Sequence, residues 1–72
     1  YNGYYLAIPG RHQWQGADLL RDVMKECYII KPEVVPYNNY KIVKIGDFGV
    51  LQKQEEEFVV VRKGWIEVIQ IR

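Results

Sequence analysis

The stretch from Glu55 to Arg72, "EEEFVVVRKGWIEVIQIR", constrains this chain more than any other, because its apolar residues do not alternate. A ribbon with solvent on one side reads apolar, polar, apolar along each strand, whereas near-continuous apolar runs mark strands covered on both faces. If Lys63-Gly64 is a two-residue hairpin turn, with Gly64 at a positive-φ position, then Arg62 pairs with Trp65, Val61 with Ile66, Val59 with Val68 and Phe58 with Ile69. One face then carries Val59, Val61, Ile66 and Val68, and the other Phe58, Val60, Trp65, Ile69 and Ile71. The pattern leaves open which face meets the rest of the chain. It predicts that the other face meets either a curled-over part of the same sheet, as in a small barrel, or a second copy of the chain, and the second copy is the better explanation.

Size sharpens that expectation. A chain of 72 residues is read as a single small domain, 1–72, and such a domain buries only about 60–65% of its unfolded surface. A lone Cys27 cannot close an intrachain disulfide, and Cys27 with the single His12 cannot supply four zinc ligands, so neither metal nor cofactor is expected. Association with another chain is the remaining common device. A net charge of +1 with 26% charged residues lacks the Lys/Arg excess of nucleic-acid binders, and the longest apolar run, Phe58 to Val61, is far too short for a membrane span. Tyr1 in place of Met fits a fragment or a processed product.

Along the chain, "GYYLAI" (Gly3 to Ile8) reads as a strand ended by Pro9-Gly10, and "RHQWQG" as a loop. From Ala17 to about Ile30, Leu19, Leu20, Val23, Met24 and Cys27 recur at helical spacing opposite Asp18, Arg21, Asp22, Lys25 and Glu26, and Pro32 forbids continuation. Beyond it, "EVVPY" and "YKIVKI" flank Asn38-Asn39 as a hairpin with Pro36 on an edge, "FGVLQ" is extended, and "KQEE" turns into the closing ribbon. The fold expected is α+β: one amphipathic helix packed on a small, mainly antiparallel sheet, in the order strand, helix, meander.

The segment Gly46 to Val68, "GDFGVLQKQEEEFVVVRKGWIEV", resembles the non-collagenous trimerization domain of the multiplexins, the type XV and type XVIII collagens. Gly46, Leu51, Glu56, Phe58, Val61, Arg62, Gly64, Trp65 and Val68 fall in register with that pattern. The resemblance implies noncovalent association into a homotrimer, an extracellular matrix setting, and a structural role without enzymatic activity.

Three motifs invite chemistry. Glu55 to Glu57 read as a solvated turn, since adjacent strand residues point to opposite faces and only Glu55 and Glu57 share one. "DFG" at Asp47 to Gly49 reads as a turn, because the chain has no room for the loops that give those letters meaning in kinases. Arg11, His12 and Trp14 bring a cation, a titratable ring and an indole into one loop without a nucleophile, which makes them a candidate partner-contact loop. The expected function is therefore noncatalytic self-association, with Phe58, Val60, Trp65, Ile69 and Ile71 at the interface and Lys63-Gly64 as the hairpin turn. The alternative is a curled aromatic sheet or barrel of inhibitor or adaptor type that binds a heterologous protein through Tyr4, Tyr5, Trp14, Tyr37 and Tyr40 clustered on one side.

Overall fold

The computed structural model describes residues 3–72, with the side chain of Asp22, expected on the polar face of a helix, outside what is described. Among the described residues there are seven strands and two short helices: β1 Tyr4–Ala7, β2 Gln13–Gln15, α1 Gly16–Leu19, α2 Asp22–Cys27, β3 Tyr28–Lys31, β4 Asn39–Asp47, β5 Gly49–Gln54, β6 Glu57–Arg62 and β7 Gly64–Ile71. The strands form two sheets, sheet one in the order β1-β5-β6 and sheet two in the order β2-β4-β7-β3. The expected single helix on a single sheet is thus corrected to a mostly β, two-sheet fold.

What ties the sheets together is one long bent ribbon. Residues 39–54 would run roughly 50 Å if straight, at about 3.3 Å per residue, yet the longest dimension of the molecule is 41 Å. The ribbon bends at Phe48, between β4 and β5, and its returning arm bends at Lys63, between β6 and β7. Below the corner β4 pairs with β7; above it β5 pairs with β6 around a turn at Glu55-Glu56. Lys63-Gly64 is therefore not a hairpin turn. It is the place where a strand leaves one sheet for the other, the usual way two packed sheets are joined at a corner.

The missing alternation in the closing stretch now has a cause. In β7 alternation is strict over Gly64 to Val68, with Gly64, Ile66 and Val68 buried and Trp65 and Glu67 only half-buried. β6 follows its own partner, β5, and a register shift between Val50 and Leu51 leaves Val61 as an extra residue opposite that strand. Two strands with separate partners follow one another in the chain, so their apolar residues share no common alternation.

The helical segment also divides. Arg21 is extended (φ −84°, ψ 164°), so α1 is a single turn and α2 starts afresh beyond it. Leu19, Met24 and Cys27 point into the core, while Leu20 and Val23 are exposed. The β-rich run Tyr28-Ile29-Ile30 leaves the helix as β3 and lies parallel to β7. "RHQWQG" is only partly a loop, since β2 pairs with β4 from Gln13 to Gln15. That pairing occupies the edge expected for "EVVPY", whose residues 33–35 form no strand.

The core joins Leu19, Met24, Cys27, Tyr28, Tyr40, Ile42, Ile66 and Val68. Its two tyrosines are satisfied at their hydroxyls: Tyr28 donates to the Ala7 carbonyl, tying β3 to β1, and Tyr40 accepts from the Val35 amide at 2.9 Å. Burial pushes the Cys27 thiol above its ordinary 9.0, with Glu26 adding to the rise and Lys63 opposing it. Burial likewise raises Tyr28 above 10.0, against a backbone hydrogen bond from Gly49.

A Cβ on Gly64 would stand 2.1 Å from the Asp47 carbonyl oxygen and 2.5 Å from backbone atoms of Phe48 and Gly49, none of which can swing away. Gly64→Ala should cost about 2 kcal/mol or more by urea unfolding, whereas Gly10→Ala, which meets nothing within 4 Å, should stay within about 0.5 kcal/mol of wild type. Because the folded pKa of Cys27 is raised, the unfolded chain loses that proton first. The associated stability is complete below pH 9.0 and declines as pH climbs through the folded value. Unfolding midpoints from pH 7 upward should show that decline, and Cys27→Ala should flatten it.

Candidate functional site

The loop that looked most like a site is closed on itself. The Arg11 guanidinium lies 4.2 Å from the centre of the Trp14 ring and bonds the Asp18 carboxylate at 3.2 Å, while the Trp14 indole N–H donates to the Arg11 carbonyl at 2.8 Å. Trp14 pairs with Tyr40 across β2 and β4 and packs against the core. His12 has an exposed side chain and contributes its carbonyl, which accepts from the Ile42 amide at 2.8 Å. These residues fasten β2 to β4 and tie α1 to the loop before β2. The aromatic cluster of the alternative reading is not assembled: Tyr40 is buried, and Tyr4 and Tyr5, adjacent on β1, point to opposite faces.

The nominated interface residues divide between surfaces. Trp65, Ile69 and Ile71 share the outer face of β7, opposite the core face of Ile66 and Val68. There Trp65 lies between the Lys31 and Lys44 ammonium groups, each 5.2 Å from its ring centre, and Gly46 passes so close that a Cβ would fall 1.9 Å from the indole. Lys31, Glu67 and Lys44 form a row of charge across β3, β7 and β4. Ile29, Val43 and Ile69 remain about half exposed. Phe58 is elsewhere, in sheet one, edge-on to Tyr5 at 5.4 Å, and Val60 packs against the core beside Leu51.

Phe58 and Val60 of β6 were expected at an interface through their faces, whereas the outer edge of that strand is what sequence reasoning passed over. β6 is an outer strand of its sheet, with Phe58, Val59 and Val61 exposed by 55%, 40% and 47%. Its two ends carry opposite charge. Glu55 to Glu57 are exposed at the turn, where Glu55 has a left-handed φ of 58°. At the far end, Lys25 and Glu26 of α2 with Val60, Val61, Arg62 and Lys63 line an open groove of about 590 Å³. Arg62 also bonds the Asp47 carboxylate at 3.1 Å, which accounts for the aspartate of the kinase-like triplet. The one signal in the sequence was the sign change between Glu57 and Arg62; Lys25, far off in the chain, had none.

Among the described residues no three His, Cys, Asp or Glu side chains gather as a metal site, and no helix is long and apolar enough to cross a membrane. Compared with protein-family models, curated proteins and solved structures, the chain gives no match.

Proposed function

We propose that the chain is a noncatalytic self-association domain. The observation that carries this reading is the balance of apolar surface: among the described residues, more large hydrophobic side chains are exposed by 40% or more than are buried in the core. Each half-exposed Val or Ile gives up roughly 1 kcal/mol of the transfer energy that burial would return, and a chain this small has little to spare. Contact with another copy recovers part of it.

Three features favour a second copy over a heterologous aromatic-binding partner. Tyr40 is in the core, Trp14 is engaged by Arg11, and the strands expose the aliphatic residues Leu6, Ile29, Val43, Val59, Val61 and Ile69, with both acidic and basic residues close by in the chain. A surface with both signs of charge can complement itself.

Sedimentation equilibrium from about 1 to 100 μM should give a mass that is a multiple of 8.6 kDa over a folded baseline in circular dichroism. A folded species of 8.6 kDa throughout that range would overturn the reading.

A further inference from the structure

We propose that two copies join edge to edge through β6, antiparallel, about a two-fold axis at Val59. This rests on the self-association reading and names the surface that carries it. β6 pairs with β5 on one side and, among the described residues, is the last strand of its sheet on the other. Gln54 and Glu57 flank a two-residue turn, so they exchange hydrogen bonds, and by alternation Val59 also directs its backbone toward β5. The amides and carbonyls of Phe58 and Val60 then point outward. Those are the groups an added strand would engage.

The register follows from symmetry. A two-fold axis perpendicular to the sheet keeps like faces on the same side, so a residue meets itself or one an even number of positions away. Centring on Val59 sets Phe58 against Val60 of the second copy, and the reverse, which pairs all the outward groups. It also lays each exposed Val59 beside its counterpart and brings Phe58, with Tyr5 edge-on to it, over to Val60.

The charges choose the antiparallel direction. Glu57 comes across from the Val61-Arg62 bulge of the second copy, and Glu56 beside its Lys63, at the mouth of the groove that Lys25 also lines. That groove carries three cations against the single carboxylate of Glu26. Arg62 already holds Asp47, which leaves Lys25 and Lys63 to receive the incoming glutamates. A parallel arrangement would place glutamate on glutamate and lysine on lysine.

The test uses three variants of the whole chain: Glu56→Lys with Glu57→Lys, Lys25→Glu with Lys63→Glu, and Val59→Lys. Sedimentation equilibrium at tens of micromolar should give the wild type at twice 8.6 kDa. Each charge variant alone should associate about tenfold more weakly or less tightly still at low salt, and an equimolar mixture of the two should recover the dimer, since both contacts are then complementary. Val59→Lys sets two ammonium groups face to face and should be monomeric with an unchanged circular dichroism spectrum. Charge variants that dimerise like wild type, or a mixture that does not recover, would overturn the pairing. A wild-type trimer would overturn it too while leaving self-association standing; a wild-type monomer would sink both. A monomer that binds a Glu-rich hexapeptide, and loses it in Lys25→Glu with Lys63→Glu, would assign the edge to a foreign acidic strand and overturn the dimer.

Discussion

The contact on which everything else depends is backbone against backbone. At Gly64 the returning arm of the ribbon presses on Asp47, Phe48 and Gly49 of the outgoing arm with no room for a side chain between them. Because both arms bend at the same level, the β4-β7 pair can lie in one sheet and the β5-β6 pair in the other. The core then fills the angle, with Ile66 and Val68 on one side, Leu51 and Val60 on the other, and α2 laid across through Met24 and Cys27. Gly49 shares in this, since its Cα faces the Cys27 carbonyl at a distance that excludes a methyl group.

Cation and ring are used twice, in different ways. Arg11 stacks on Trp14 and is also held by Asp18, so that the guanidinium finishes a local structure. Lys31 and Lys44 flank Trp65 from two neighbouring strands and, with Glu67, set a large indole among charges on the outer face of β7. Positive charge beside apolar strands discourages indiscriminate pairing. Sheet two is guarded in this way through its middle; β6 has its charges only at the two ends.

Local features of the fold were legible in the sequence, and partner choice was not. The first strand, ended by Pro9-Gly10, and the polar turn before β6 are settled by residues a few positions apart, so a single window holds the information. The helix was misjudged in its length, because Leu20 and Val23 fit the spacing of a longer helix that the extended backbone of Arg21 interrupts. The Lys63-Gly64 turn was misjudged for a deeper reason. A glycine between two β-rich runs serves a hairpin or a corner equally well, and what decides is the pairing of β7 with β4 and β3, which lie tens of residues earlier. The groove was illegible for the same cause: Lys25 meets Arg62 and Lys63 only after the corner forms.

The order β2-β4-β7-β3 has a bearing on how the molecule comes into being. β7, the latest strand in the sequence, is an inner strand of its sheet, bonded to β4 on one side and to β3 on the other. During synthesis the earlier strands of that sheet emerge without the piece that joins them, and β3 can find its parallel neighbour only across an interval of more than thirty residues. Vectorial emergence therefore gives this chain little advantage over refolding from dilution, since sheet two is assembled around its final strand in both cases.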